Sequence, residues 1–470
     1  MEGRYWVMEI KRVDLAIIGA GPGGYVAAIR AAKLGIKSVV IEKEHIGGVC
    51  LNWGCMPTKA LTTVAHLVEN IEGANQFGIG VSDYGIDFKK VMQRKDKLIS
   101  SLRGGLQSHF SKNKIELIKG KGKLTDTDKI LVECENGDNI EVISKNIIVA
   151  TGSSPSQIPP FDFKEEGVLN NRGILSLKEI PKELLIVGGG VVGCEFASIF
   201  NTFGSSVTII EVLPRILSTE DEDISKLVKE NFEKNGIKIL TNCSIDEIKK
   251  VEGRYNCKAN NGESITVDNI LVSVGRRPNS TDIGIEEAGI KTERGYIKVD
   301  SHLKTSIDNI YAIGDVIGGY QLAHVASKEG KIAVENISGK ESKMNYRVVP
   351  WAIFTSPEIG AVGLTENQAK EKNIQVNCGR FPFSASGKAF VMGEASGFAK
   401  IVTDKETGEV LGAQIIGPRA SDLIHEVAVA MNGELSVDYI ADTIHSHPTL
   451  SEAVMEAAED CFGIATHASK

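Results

Sequence analysis

Residues 13–42 read VDLAIIGAGPGGYVAAIRAAKLGIKSVVIE. Val13–Ile18 is a short apolar run with the look of a buried strand. Gly19-Ala20-Gly21-Pro22-Gly23-Gly24 follows as a turn, and Tyr25–Leu34 is an alanine-rich, helix-like stretch. Ser38–Ile41 is a second strand that ends in Glu42. This is a βαβ unit. Each part has a physical reason if the unit holds a dinucleotide. A pyrophosphate needs positive partial charge without a bulky side chain in the way, and a helix N-terminus supplies that charge through its free N–H groups and dipole. Gly19, Gly21 and Gly24 let the chain turn, let backbone approach the phosphates, and let helix and strand pack closely. Glu42 can accept hydrogen bonds from ribose hydroxyls and would repel a 2′-phosphate.

Residues 184–211 repeat the pattern as LLIVGGGVVGCEFASIFNTFGSSVTIIE. Leu184–Val187 is the strand, Gly188, Gly190 and Gly193 hold the motif positions, a helix spans about Cys194–Phe203, and Val207–Ile210 ends in Glu211. The last motif glycine and the acid are 18 residues apart in both copies, and the copies are offset by 188 − 19 = 169 residues. One such glycine motif is weak support for anything. Two, each between a strand and a helix with the acid in place, point to two dinucleotide sites. Two dinucleotides on one chain suggest FAD and a nicotinamide, with electrons passing between them. Glu211 favours NAD over NADP, although Arg215 stands close by.

The 470 residues are 42% hydrophobic and 24% charged, with a formal net charge of −8. That is an ordinary globular composition with room for roughly three domains. An acidic chain without a basic stripe is not built for nucleic acid. No apolar run approaches the roughly 18 residues that span a bilayer, and Met1–Arg12 carries no signal-like core. The default location is the cytoplasm, and Met8 offers an alternative start. The eight cysteines are too sparse for a secreted disulfide scaffold and show no metal spacing, so no metal is expected.

Cys50 and Cys55 stand apart from the other six. They lie in Gly47-Gly48-Val49-Cys50-Leu51-Asn52-Trp53-Gly54-Cys55-Met56-Pro57-Thr58-Lys59. On a regular helix, residues five apart have Cα atoms roughly 8–9 Å from each other, beyond the roughly 4.4–6.8 Å of a disulfide. The pair can bond only if the helix is broken, and Gly54 and Pro57 make a break plausible. Cys55 would then sit at a helix N-terminus with Lys59 one turn on, and both effects favour a thiolate. Cys50 is expected to be the more exposed sulfur.

Near the C-terminus, His447-Pro448-Thr449-Leu450-Ser451-Glu452 pairs an imidazole with a carboxylate. A histidine beside a thiol can deprotonate it, and Glu452 can orient the ring. The plainer reading of Thr449–Glu452 is a helix capping box. His445 is read as structural.

Taken together, these residues resemble the pyridine nucleotide–disulfide oxidoreductase family over about Val13 to His467, and most closely its branch acting on dihydrolipoamide. The redox segment Gly47–Leu61 and the segment His447–Glu452 carry the likeness. So do Ala150-Thr151-Gly152, Val274-Gly275-Arg276-Arg277-Pro278-Asn279 and Ala312-Ile313-Gly314-Asp315, while Trp53 and Met56 are slight departures. The resemblance implies that Cys50 meets the substrate and Cys55 the flavin, with Lys59 beside the flavin ring and paired to Glu195. It places Asp315 on the FAD ribityl chain, with Gly122, Thr151, Gly152 and Ala323 also on the FAD side. Gly275 and Ile245 would meet NAD, and His447 and Glu452 would be the base and its orienter, acting on the cysteine pair of a second subunit. The implied activity is oxidation of dihydrolipoamide with NAD, and the implied partner is a lipoyl-bearing protein of a 2-oxoacid dehydrogenase or glycine cleavage complex.

The implied fold is α/β. Two Rossmann-like dinucleotide-binding domains hold FAD and NAD, and a C-terminal α+β domain makes a homodimer. The expected boundaries are 1–150 and 281–349 for the FAD-binding and central parts, 151–280 for NAD, and 350–470 for the interface. Relatives that reduce glutathione prefer NADPH through arginines after the second strand, which Glu211-Val212-Leu213 lacks. Mercuric and large thioredoxin reductases need a C-terminal cysteine pair, and only Cys461 is there. A redox-inactive scaffold would not need Cys50, Cys55 and His447.

Overall fold

The computed structural model describes residues 9–467, so Met8 lies outside the described residues. The chain divides into two compact units. One comprises the segment ending at Pro57 together with Gln93–Ser156 and Gly275–Asn345. The other comprises Thr58–Met92, Gln157–Val274 and the chain from Tyr346 on.

The first unit is built on the first βαβ repeat. Strand β1 (Glu9–Ile18), helix α1 (Pro22–Lys33) and strand β2 (Ser38–Glu42) lie where the apolar runs predict. The helix starts earlier than expected, at Pro22, because proline's fixed φ and missing N–H suit the first helical position. Helix α2 (Gly48–Trp53) ends at Gly54, and α3 (Cys55–Glu72) starts at once. After α4 (Phe88–Lys112) come β3 (Glu116–Asp126), β4 (Lys129–Cys134) and β5 (Asn139–Val149). The parallel core of the sheet has β1 between β2 and β5, with Ile17 level with Val40 and with Ile148. β3 joins beyond β2, the strand Ile310–Ala312 joins beyond β5, and β4 closes an antiparallel meander between β3 and β5. Leu15, Ile17, Val40 and Ile148 are fully buried on one face of the sheet, and Ala16, Val39 and Ile147 on the other. That double-sided burial is why these strands read as unbroken apolar runs.

The chain leaves this unit and returns to it through one small ladder. Ser153–Pro155 pairs antiparallel with Arg276–Pro278, and the Ser156 amide donates to the Gly275 carbonyl at 2.9 Å.

The second unit contains the second repeat. Strand β6 (Glu183–Val187), helix α5 (Val191–Thr202), and strands β7 (Ser206–Glu211), β8 (Lys238–Thr241) and β9 (Asn269–Val272) form a parallel sheet in the order β8-β7-β6-β9, with Val168–Leu169 at its edge. From Pro350 onward the pattern changes. Five antiparallel strands follow: β10 (Pro350–Ile353), β11 (Ile359–Gly363), β12 (Val376–Pro382), β13 (Phe398–Asp404) and β14 (Val410–Ile416). They order as β10-β11-β14-β13-β12. Helices α6 (Ala420–Asn432) and α7 (Glu452–Asp460) cover one face through Ile424, Val427, Val454 and Ala457. Leu61 of α3 joins Phe196 and Phe200 of α5 and Ile353 and Phe398 of the C-terminal sheet in a single buried cluster. Among the described residues, no helix is long and apolar enough to cross a membrane.

Candidate active site

The two glycine turns are near copies. Gly19 and Gly188 have φ of +105° and +106°, a region that side chains disfavour. A Cβ on Gly24 would stand 1.9 Å from the Gly19 carbonyl oxygen, and one on Gly193 would stand 2.0 Å from that of Gly188. Helix and strand approach so closely that only glycine fits. Gly21 and Gly190 cap α1 and α5 with nearly equal backbone angles. Nothing lies within 4 Å of a Cβ at Gly190, and only the Gly48 Cα, at 4.0 Å, comes near one at Gly21. Each helix start therefore presents bare N–H groups to an open space, which fits a dinucleotide pyrophosphate.

The acids also match. Glu42 accepts from the Ala20 and Glu44 amides, both at 2.8 Å. Glu211 accepts from the Gly189 amide at 2.7 Å and the Leu213 amide at 2.9 Å. Burial pushes the Glu42 carboxyl above its ordinary value against the pull of those two amides. Each carboxylate thus shapes its own loop and keeps lone pairs for a ribose. Arg215 is occupied elsewhere: its guanidinium donates to the carbonyls of Leu217, Ser218 and Glu220. The doubt it raised about a 2′-phosphate loses its footing.

The cysteine segment packs directly on the first cradle. The Gly47 amide donates to the Ala20 carbonyl at 2.8 Å, and a Cβ on Gly48 would come within 2.6 Å of the Gly21 Cα. Helix α2 carries Cys50 and stops at Gly54, and Cys55 is the first residue of α3. The pair does not share a regular helix, which is the break that a disulfide requires, and the two cysteines lie close together. Tyr25 of α1 is near enough to both for their charge to act on it. Its phenol is pushed above its ordinary value by burial and further by the Cys50 and Cys55 thiols. The expected exposure is reversed: Cys55 is the exposed residue and Cys50 only half exposed. Cys50 sits inside a helix packed on the glycine turn, whereas Cys55 follows the break. Elsewhere, Cys257 behaves as an inert core residue, its thiol pushed up to about 12 by burial.

Lys59, one turn into α3, holds both oxygens of Glu195 at 2.8 and 2.9 Å. Glu195 on α5 is buried and also accepts from the Phe354 amide at 3.0 Å. The ammonium lies 4.3 Å over the Phe354 ring. The sequence names Lys59 and Glu195, but nothing in it announces Phe354.

Asp315 is held by Ser153 and by Arg276, whose Nε is 2.6 Å from the Ser153 hydroxyl and 3.7 Å from Asp315. Thr151 and Asn279 clamp each other, with the Thr151 hydroxyl donating to the Asn279 carbonyl at 2.8 Å and the Asn279 amide to the Thr151 carbonyl at 2.9 Å. Gly152 and Gly275, both at positive φ, sit at this crossing. Gly122 is wedged beside Ile18 and Ile41. Ala323 opens the helix Ala323–Ile337 that packs on α1. The Ile245 side chain is spent in the core with Val187 and Ile210, so only its backbone could meet a ligand.

His447 is solvent-facing, and its Nδ1 lies 2.8 Å from Glu452 Oε1. A carboxylate on that side requires the hydrogen on Nδ1, which leaves Nε2 with a lone pair for a substrate proton. The other Glu452 oxygen accepts from the Thr449 amide at 2.8 Å. Burial tends to raise the Glu452 carboxyl, but the Thr449 amide and His447 hold it below its ordinary value. The capping box does not form, because the Thr449 hydroxyl turns to the Ser446 carbonyl and α7 begins at Glu452. The His445 ring is enclosed between the Thr443 carbonyl at 2.7 Å and Glu426 at 2.6 Å.

Residues 13–330 match the family described as pyridine nucleotide-disulphide oxidoreductase, and residues 349–458 match the dimerisation domain of that family. A dihydrolipoyl dehydrogenase of Chlamydia trachomatis is 45% identical over 448 residues, 95% of this chain and 96% of that protein. One from Geobacillus stearothermophilus is 43% identical, covering 97% of each. Among solved structures, LpdA of Mycobacterium tuberculosis superposes with a TM-score of 0.90 at 28% identity, over 96% of this chain and 99% of that one. A copper(II) complex of the flavoprotein disulfide reductase RclA from Escherichia coli superposes at 0.87 and 30% identity, with the same coverage.

Proposed function

The chain belongs to the pyridine nucleotide-disulphide oxidoreductase family, and from that premise we propose that it oxidises protein-bound dihydrolipoamide to lipoamide and reduces NAD to NADH. One observation carries the reading: two equivalent dinucleotide cradles lie on one chain, and a cysteine pair is packed against the first. The near-full-length likeness to dihydrolipoyl dehydrogenases supports the substrate. FAD is assigned to Gly19, Gly21, Gly24, Glu42, Lys59, Gly122, Thr151, Gly152, Asp315 and Ala323. NAD is assigned to Gly188, Gly190, Gly193, Glu211, Ile245 and Gly275, while Glu195 is the partner of Lys59 beside the flavin ring. The domains follow as 1–150 and 281–349, 151–280, and 350–470.

The chemistry of this chain is thiol–disulfide exchange. A dihydrolipoyl thiol gives its proton to His447 Nε2, and Glu452 steadies the cation so formed. The thiolate attacks Cys50 Sγ, the Cys50–Cys55 bond breaks, and its electron pair goes to Cys55. Cys55 receives it at the start of α3, where the helix dipole favours a thiolate. The second substrate thiol attacks the mixed disulfide, closes lipoamide and frees Cys50. Bound FAD supplies the electron path from this dithiol to NAD as hydride.

The exposed apolar side chains Val429, Tyr439 and Ile444 of the C-terminal domain support a homodimer, in which His447 and Glu452 serve the cysteine pair of the other subunit. The dithiol donor is then a lipoyl-bearing protein of a 2-oxoacid dehydrogenase or glycine cleavage complex in the cytoplasm. The test is NAD reduction by dihydrolipoamide, with NADP and reduced glutathione as controls. Turnover confined to NAD and dihydrolipoamide is expected. A holoprotein whose disulfide NADH reduces but dihydrolipoamide does not would sink the substrate.

A further inference from the structure

We propose that Arg103 is a positioning residue for the dithiol, fixing through the Asn52 amide the short helix that carries Cys50. The inference rests on the reading of Cys50 and Cys55 as the redox pair. Helix α2 has six residues, too few to persist in water alone, because nucleation costs more than so short a helix returns. Its place is therefore set by side-chain ties.

Asn52 lies two residues after Cys50 and three before Cys55, and it is buried. Its Nδ2 donates to the carbonyls of Ile46 at 3.1 Å and Gly48 at 2.8 Å, in the turn that launches α2. Its Oδ1 accepts from Arg103 Nε at 3.1 Å and Nη2 at 2.7 Å. Both amide donors and the acceptor are used, so the amide has one orientation, and the two bonds from the guanidinium are of the stronger, charge-assisted kind. The launching turn is itself fastened to the first cradle by Gly47 and Ala20. On the next residue, the Trp53 ring packs 5.7 Å from that of His45. A continuous set of bonds thus runs from α4 through Arg103 and Asn52 to the base of α2.

Cys55 begins a separate helix, so any drift of α2 alters the sulfur–sulfur separation directly. Disulfide geometry tolerates little such drift, and the cost appears in the equilibrium between dithiol and disulfide.

The holoprotein is equilibrated in glutathione buffers of graded ratio and quenched with an alkylating agent, and Cys50 and Cys55 are scored by mass spectrometry. Arg103→Ala is expected to shift the equilibrium constant toward the dithiol by about 10-fold, as loss of a charge-assisted contact implies. Arg103→Lys, with one N–H for Oδ1, should recover most of the shift. Asn52→Leu should shift it similarly, and adding Arg103→Ala to it should shift it no further, since the two act in one network. An arginine that is merely structural would lower the melting temperature and leave the constant unmoved, and that result in Arg103→Ala overturns the proposal. If Arg103→Ala does not fold, Asn52→Leu and Arg103→Lys carry the same comparison. The absence of any reversible Cys50–Cys55 couple in the unmodified protein would sink the redox-pair reading, and this inference with it.

Discussion

Gly193→Ala should separate the two halves of the reaction. The added Cβ would lie 2.0 Å from the Gly188 carbonyl oxygen, 3.0 Å from Ser273 Oγ and 3.1 Å from Ile186 Cγ2. Real Cβ contacts do not fall below 3.0 Å, so the start of α5 must retreat from β6 by about 1 Å. The obstructing atom is backbone of the glycine turn that directly follows the central strand β6, and it cannot swing aside as a side chain would. Overpacking of this kind costs about 1–3 kcal/mol. It falls on the turn that would face the pyrophosphate, so it is expected as a rise of about 5- to 150-fold in KM for NAD. Flavin content, read at 450 nm per chain, should stay at the wild-type level. Bleaching of that band by dihydrolipoamide should be unchanged, while stopped-flow oxidation by NAD should slow. The matched variant Gly24→Ala, with its Cβ 1.9 Å from the Gly19 oxygen, should instead purify depleted of flavin. Flavin loss in Gly193→Ala with an unaltered KM for NAD would reverse the assignment of the two cradles. Wild-type behaviour in both variants would refute the steric reasoning.

Further outcomes follow from the same geometry. Glu452→Gln should lower dihydrolipoamide oxidation by roughly 10- to 100-fold, part of what general-base catalysis supplies, while NADH oxidation by ferricyanide stays intact. Because the folded Glu452 pKa is depressed, its charge persists as pH falls to below the ordinary carboxylate range, and wild-type pH–rate profiles should show no limb from it above about pH 4.5. Lys59→Met strands the buried Glu195 carboxylate with the Phe354 amide alone. It should cost about 2–3 kcal/mol after discounting the partly exposed ammonium, and Lys59→Met with Glu195→Gln should recover part of that loss in a thermal melt.

Lys400 is buried beside Asp221 at 2.7 Å, with Asp223 at 3.3 Å and Glu366 at 3.5 Å. Burial pushes its pKa down, but Asp221 and Asp223 more than offset this and hold it above the ordinary value. A raised lysine gives stability that is fully present below its unfolded pKa of about 10.4 and lost as pH rises through the folded value. Melting points of wild type and Lys400→Met should therefore differ widely at pH 9 and converge only once the pH has risen through the raised Lys400 value.

The sequence made the cradles legible because their constraints are local. Glycine is required where backbone meets backbone, and Glu42 and Glu211 each return to the glycine turn of their own βαβ unit, 22 residues earlier. The break between Cys50 and Cys55 could be deduced from helix pitch set against disulfide reach. Tyr25, Arg103 and Phe354 were not legible, since each acts through a partner distant in the chain and none belongs to a residue type that announces chemistry. Exposure of the two sulfurs was misjudged for a related reason. It depends on what packs against α2, and Gly48 meets Gly21 by a contact that spacing cannot reveal. The capping-box motif was present in letters, yet the Thr449 hydroxyl turns to the Ser446 carbonyl, and Glu452 serves the histidine as well as the backbone.

The strand Ile310–Ala312 completes the first sheet along β5, yet it is translated long after its neighbour. The 160 residues between Val149 and Ile310 take about 8–32 s to emerge at 5–20 residues per second. During that interval the edge of β5 beside Ile147 and Ile148 has no native neighbour on the nascent chain. An unpaired strand edge is a template for another chain, so until Ile310–Ala312 emerges the C-terminal half of β5 stays open to wrong pairing.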